Sequence, residues 1–313
     1  MASYSIFILI ATPSREEPMH TLSRTTAALA AVVVLAGCGV KGGPGWSFIP
    51  GGQNPGPSQS STAAASSASP PATTATPSAT PAAAAGDSVL PALTPKSQLP
   101  PTPADEVNTS YAPNVPPAAT RTEQAIVSVH FDVVEGVKAI DASGHQYLTW
   151  GYRVDGDTAV TTGTPGPMIR ARVGDVLRFT LTNDGTMPHN VDFHAVTGQG
   201  GGAKDLTVAP GATATIEARL LYPGLFLYHC AAGDVPDHIA QGMYGGILVD
   251  PATPLPAVQH ELYVVQSEFY TTTGADGTTL TTNRQAITDE NPTYVVFNGA
   301  VGSLTADNAP HMQ

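Results

Sequence analysis

The sequence predicts an all-β fold, a sandwich or barrel built in the middle of the chain, and three observations lead there. Short runs with alternating apolar residues recur at 125–131, 146–154, 168–173, 176–182 and 214–220, the period-two pattern of half-buried strands. Between them stand Thr164-Pro165-Gly166-Pro167, Val173-Gly174-Asp175, Asn183-Asp184-Gly185 and Ala209-Pro210-Gly211, each a turn signal in its glycine, proline or Asn-Gly-like chemistry. Regular alternation of strand and turn is the signature of sandwiches and barrels. Composition then limits how much of the 313 residues joins that core. Charged residues are only 12%, and 29 prolines accompany 31 glycines, so one complete domain plus a partial one is expected rather than the two that length alone suggests.

The elements follow in order. Residues 1–38 read as an export signal: Arg24 precedes the apolar run 27–36, which is too short to span a bilayer but has the length of a signal core. The run closes in Leu35-Ala36-Gly37-Cys38, which resembles the box of bacterial lipoproteins, so Cys38 is the expected lipid anchor; an ordinary secretory signal with an incidental cysteine is the alternative. Met19 gives a more compact signal than Met1, because residues 6–10 form a separate apolar patch followed by Arg15-Glu16-Glu17, and Met19 is therefore the expected start. Residues 39–119 are dominated by Ala, Ser, Thr, Gly and Pro, a composition that cannot build its own core and is expected to be a disordered tether. The sandwich is expected over 120–252, ending near Gly246-Ile247-Leu248-Val249-Asp250. A Pro-rich connection at 251–256 then leads to another strand at 261–268, the start of an incomplete second domain over 253–313.

The 25 acidic against 13 basic residues give a formal charge of -12, which removes the electrostatic footprint that nucleic acid binding requires. The only cysteines are Cys38 and Cys230, in segments of such different character that a disulfide framework is not expected. Chemistry concentrates instead in three clusters: His189-Asn190-Val191-Asp192-Phe193-His194, His229-Cys230, and His238-Ile239-Ala240-Gln241-Gly242-Met243. Successive side chains on a strand point to opposite faces, so His189 and His194 sort apart, as do His229 and Cys230. One consistent solution places His189 and Cys230 at one site and His194 and His229 at another, linked through adjacent residues.

His238 and Met243 complete the first site. Two imidazoles, a thiolate and a weak thioether describe a blue-copper electron-transfer centre, whereas structural zinc asks for more thiolates and no methionine. A single buried cysteine or methionine is usually plain packing; four ligand types at compatible spacing are not explained that way. The second site holds two imidazoles, with Asp192 on the strand face of His194. Two readings of Asp192 stand side by side, a proton-donating acid beside a bound oxyanion and a carboxylate satisfied by nearby backbone or Asn190. Gly198-Gln199-Gly200-Gly201-Gly202 lacks the helix and Lys-Ser/Thr of a phosphate loop and reads as a flexible connection. His130, His145 and His260 have no ligand partners in the sequence and read as surface or satisfied histidines.

Taken together, the Thr164-Pro-Gly-Pro-Met168 segment, His189-Asn-Val-Asp-Phe-His194, Ala195-Val-Thr-Gly-Gln-Gly-Gly-Gly202, Tyr228-His-Cys230 and His238-Ile-Ala-Gln-Gly-Met-Tyr-Gly245 resemble the first domain of copper-containing nitrite reductases. Residues 294–305 resemble the opening strands of that family's second domain, and the short spacing from Cys230 to His238 is similar to the subgroup that includes outer-membrane lipoproteins. The resemblance implies a Greek-key cupredoxin sandwich. It implies a type 1 copper held by His189, Cys230, His238 and Met243 that takes an electron from a small periplasmic donor, a cupredoxin or cytochrome c. It further implies a type 2 copper at His194 and His229, reached through the His229-Cys230 pair, where nitrite is reduced to nitric oxide with Asp192 delivering protons. Members are homotrimers with the catalytic copper between subunits, and the implied location is extracytoplasmic and membrane-anchored. The family's third type 2 histidine comes from later in the second domain. His311, in a stretch where the pattern is lost after Asn308, is not expected to replace it, and the chain is expected to be truncated there. The competing expectations are a single-copper electron carrier, against which His194 and His229 weigh, and a small multicopper oxidase, against which the missing His-x-His pairs weigh.

Overall fold

The computed structural model describes residues 90–305, together with the backbone of three short strands near the start of the chain. Those three are β1 (Ser5–Ala11), β2 (Val32–Val33) and β3 (Ala36–Gly37). Cys38, the expected lipid anchor, most of the expected signal and tether, and His311 lie outside the described residues.

The elements that follow are β4 (Thr109–Ser110), β5 (Ile126–Ala139), β6 (Gln146–Val154), β7 (Met168–Arg172), β8 (Val176–Asn183), β9 (Asp192–Phe193), β10 (Thr213–Arg219) and β11 (Gly224–His229). After these come the short helix α1 (Val235–Ala240), β12 (Tyr244–Asp250), β13 (His260–Phe269), β14 (Thr271–Thr273), β15 (Thr279–Thr282), α2 (Arg284–Thr288) and β16 (Tyr294–Phe297). Two mixed sheets carry the fold, in the orders β10-β8-β5-β6-β15-β14 and β4-β7-β12-β11-β9. Both sheets mix hairpin neighbours with crossovers: β5 lies antiparallel to the next strand β6 but parallel to β8, and β7 lies parallel to β12. The predicted all-β cupredoxin sandwich is what the chain forms.

Period-two patterning explains the core. Val127, Val129, Phe131 and Val133 of β5 and Leu177, Phe179 and Leu181 of β8 face Ile169 and Ala171 of β7 and Ile247 and Val249 of β12, all buried. Phe131 meets Phe179 edge to face, with ring centroids 5.2 Å apart. Each such side chain contributes about 1.5–3 kcal/mol on burial, so the sandwich is held chiefly by this inner layer. β12 is buried along its whole length, because its other face packs through Tyr244 and Leu248 against Tyr263 and Val265 of β13. That accounts for its nearly continuous apolar sequence.

Two features differ from the sequence expectation. β5 runs on to Ala139, well past the alternating stretch read from the sequence, and pairs with β6 from Phe131↔Val154 to Ala139↔Gln146. The second difference is the part of the tether at 90–119, which is bound to the sandwich rather than free of it. Leu99 is buried, the Ile126 amide donates to the Pro100 carbonyl at 2.8 Å, and β4 pairs antiparallel with β7. Arg121 clamps the end of this strap through Asp175 at 2.6 Å and Glu106 at 2.9 Å, and the Arg170 guanidinium, itself paired with Asp250 and Glu261, donates to the Pro116 carbonyl at 2.8 Å. A Pro-rich strap cannot form a ladder of its own, but it can lend isolated carbonyls to a neighbouring sheet and arginine.

Candidate metal centre

The first cluster is assembled where β11 leaves its sheet. Cys230 follows the last residue of β11, and the ladder is continued by its amide donating to the Met243 carbonyl at 3.0 Å, while the Met243 amide donates to the His238 carbonyl at 3.1 Å. The loop between them turns through α1, which opens at Asp234 with Pro236 in its first turn and presents His238 from its last. His189 arrives from the β8–β9 connection, pinned by reciprocal backbone bonds with Val208 at 3.1 and 2.9 Å. Asn190 ties the two arms together: its side-chain oxygen accepts from the Ala231 amide at 2.6 Å, its backbone amide points at the Cys230 sulfur at 3.5 Å, and its carbonyl accepts from the Tyr152 hydroxyl at 2.6 Å.

The donor atoms converge. His189 Nδ1 and His238 Nδ1 lie 3.2 Å apart, and Cys230 Sγ lies 3.2 Å from His238 Nδ1 and 3.9 Å from His189 Nδ1. Those separations suit one ion bound at about 2.0–2.3 Å from each atom. His189, Cys230 and Met243 are fully buried and His238 is 5% exposed, so water is shut out. Met243 belongs to the same apolar cluster as Cys230. Burial pushes the Cys230 thiol up and the His189 imidazole down, the latter opposed by Glu135; burial and the neighbouring His189 bring His238 down to about 4. The metal-free site therefore rests as a thiol among neutral imidazoles, and a metal binding there displaces the thiol proton.

The second cluster sits on the other side of the same peptide. His229 pairs with Asp192 across β11 and β9, and the His194 amide continues that ladder by donating to the Leu227 carbonyl at 3.0 Å. His194 Nε2 and His229 Nε2 lie 3.1 Å apart, and one oxygen of Asp192 joins them within 4.8 Å. His229 Nδ1 lies 3.0 Å from the Cys230 carbonyl; a proton donated there leaves the Nε2 lone pair facing His194. His194 is exposed and Asp192 half-buried, whereas His229 is 8% exposed. Burial lowers the His194 pKa, reinforced by His229 and opposed by Asp192. The glycine loop expected to be a loose connection forms a short 3-10 turn at Gln199–Gly202, and its Gly201 (φ 48°) lies so close that a Cβ there would collide with the Asp192 carboxylate and the Phe193 backbone.

The six histidine, cysteine and aspartate residues singled out by the sequence lie in these two groups, His189, Cys230 and His238 in one and Asp192, His194 and His229 in the other. Among the remaining histidines, His145 lies 2.7 Å from Asp141, and His130 is bound between Thr182 and Asp155 at 2.8 and 3.1 Å. Sequence reading missed the grouping of His130 with Asp132 and Asp155; Asp132 is in turn engaged by Arg153 at 3.3 Å. It also missed two neighbours of the first cluster. Glu135 Oε1 lies 3.5 Å from His189 Nε2, and the Trp150 ring stands edge-on to His189 and His238, with centroids 5.4 and 4.9 Å away. The only sequence hint was that Trp150 is one of two tryptophans.

Set beside known proteins, residues 135–253 match the multicopper oxidase family profile. The copper-containing nitrite reductase of Neisseria gonorrhoeae is 47% identical over 205 residues, covering 64% of this chain and 50% of that protein. Relatives at this level of identity are named copper-containing nitrite reductases. The one from Alcaligenes xylosoxydans xylosoxydans is 38% identical over 178 residues, covering 50% of this chain and 54% of its own. A solved copper nitrite reductase from Nitrosomonas europaea is 32% identical with a TM-score of 0.46, covering 57% of this chain and 58% of that one. The chain spans about half the length of the curated relatives it matches. These relatives are oxidoreductases, and copper is the cofactor that both they and the two-histidine, one-cysteine donor set indicate.

Proposed function

We propose that this chain carries the electron-accepting centre and part of the catalytic centre of a copper-containing nitrite reductase, which converts nitrite, two protons and one electron to nitric oxide and water. The observation that carries the proposal is the His229-Cys230 dipeptide: adjacent residues donate to two separate clusters, one buried and one open. In this reading His189, Cys230, His238 and Met243 hold a type 1 copper, and His194 and His229 hold a type 2 copper whose further ligand lies outside this pair. Copper supplies reversible one-electron chemistry in the first and a Lewis-acidic anchor for nitrite oxygen in the second.

The chain's own residues do the rest. The Cys230 thiolate and its peptide to His229 form the shortest covalent route between the clusters. Asp192, opposite His229 and half-exposed, stands where it can pass a proton to an oxyanion bound at His194 and His229. The electron donor is a small redox protein, the working assembly a homotrimer, and the place extracytoplasmic, tethered through Cys38. The profile match to multicopper oxidases favours a second reading, reduction of dioxygen, but the sequence lacks the His-x-His pairs of a trinuclear cluster.

The test is nitric oxide formation by the copper-loaded full chain with a reduced dye as donor, for the natural protein and His194→Ala. The proposal expects nitrite-dependent nitric oxide from the natural protein, and loss of it in His194→Ala with the blue colour retained. Consumption of dioxygen without nitrite turnover would favour the oxidase.

A further inference from the structure

The two imidazoles of the buried cluster are not equivalent. Both turn Nδ1 toward Cys230, and a ring that gives Nδ1 to a metal carries its proton on Nε2. At His189 that far nitrogen meets a carboxylate, Glu135 Oε1 at 3.5 Å, whose side chain is only 14% exposed. The carboxylate is itself held: the Thr186 amide donates to it at 2.7 Å and the Thr186 hydroxyl at 2.9 Å. Gly185 makes this approach possible, since a Cβ there would stand 2.6 Å from Glu135 Oε1. Opposite Glu135 in the β5–β6 register is Trp150, whose ring stands edge-on to both imidazoles.

We infer that Glu135 is a positioning residue of this centre, fixing the tautomer and orientation of His189 from its far nitrogen and setting the reduction potential of the copper held there. The inference rests on the copper reading of the cluster. A negative charge at the back of a ligating imidazole makes the ring a stronger donor and favours the more highly charged oxidation state, and in a site closed to water that influence is weakly screened. Trp150, on the paired strand, keeps the His189 and His238 rings in register with one another.

The experiment is a spectroelectrochemical titration of the blue absorption of the copper-loaded full chain, comparing the natural protein with Glu135→Gln and Thr186→Val. Glu135→Gln keeps size and hydrogen bonding but removes the charge, so the band is expected to persist while the potential rises. Thr186→Val removes one donor to the carboxylate but keeps its charge and the Thr186 amide bond, and is expected to shift the potential less than Glu135→Gln does. An unchanged potential in Glu135→Gln, or equal shifts in both variants, would overturn the inference by reducing Glu135 to a loop brace. Absence of a blue band in the natural protein would instead overturn the copper reading, and the inference with it.

Discussion

The two histidine clusters share one peptide bond and differ in almost everything else. Around Cys230 every donor is buried, the backbone arms are cross-tied by Asn190, and the donor atoms stand within 3.9 Å of one another. Around His194 the ring is exposed, the supporting strand β9 is two residues long, and a half-buried carboxylate shares the space. The first arrangement brings three buried donors together and is closed to solvent. The second has one buried and one exposed imidazole with their Nε2 atoms 3.1 Å apart. Closed sites suit electron transfer and open ones suit substrates, and the contrast runs in the same direction as the roles proposed for the two clusters.

The contrast can be broken in ranked order. The largest effect is expected for Cys230→Ser, which removes the thiolate from the closed cluster: blue absorption disappears and donor-driven turnover falls well beyond the ~10- to 100-fold that losing an outer-shell partner costs. Metal analysis should still find copper at the open cluster. His194→Ala should produce the mirror image, with copper lost from the open cluster and the blue band intact. Asp192→Asn sharpens the comparison within the open cluster. Both metals stay bound, while steady-state nitrite turnover falls about 10²-fold or more if Asp192 passes a proton, and stays unchanged if it is only a satisfied surface carboxylate.

The smallest effect concerns how far burial extends beyond the closed cluster along the β5–β6 hairpin. Lys138 donates to the Thr164 carbonyl at 2.7 Å, and burial brings its ammonium pKa down to about 8. A folded value below the unfolded ~10.4 means the unfolded chain binds the extra proton between those values. Stability relative to Lys138→Met should therefore rise as pH increases from about 8 to 10.5, by no more than about 3 kcal/mol, and be lost again as pH falls through 8. Denaturant titrations of both proteins across that range check the sign.

The division of the site was legible in the sequence because its donors are close in the chain and differ in type. The parity argument assumed a regular strand that the structure does not contain, since only Asp192 and Phe193 of 189–194 are strand, His189 makes an isolated bridge to Val208 and His194 lies in a turn. Glu135 was invisible because it lies 54 residues from His189 and meets it only through the β5–β6 pairing and the Thr186 turn. The strap at 90–119 was misread for a different reason. Its proline-rich composition has no period, and its order comes from single backbone bonds, from Arg121 and Arg170, and from scattered apolar contacts such as Leu99 and Val115 rather than from a periodic face. The middle of the sandwich, where apolar residues alternate, was the easiest part to read.

The most direct test of the two-cluster account is electron paramagnetic resonance with copper quantitation on the copper-loaded full chain, before and after addition of nitrite. The account predicts two distinct copper signals, of which only the one lost in His194→Ala responds to nitrite. A single signal, abolished by Cys230→Ser and indifferent to nitrite, would contradict it and leave His194 and His229 without a catalytic role.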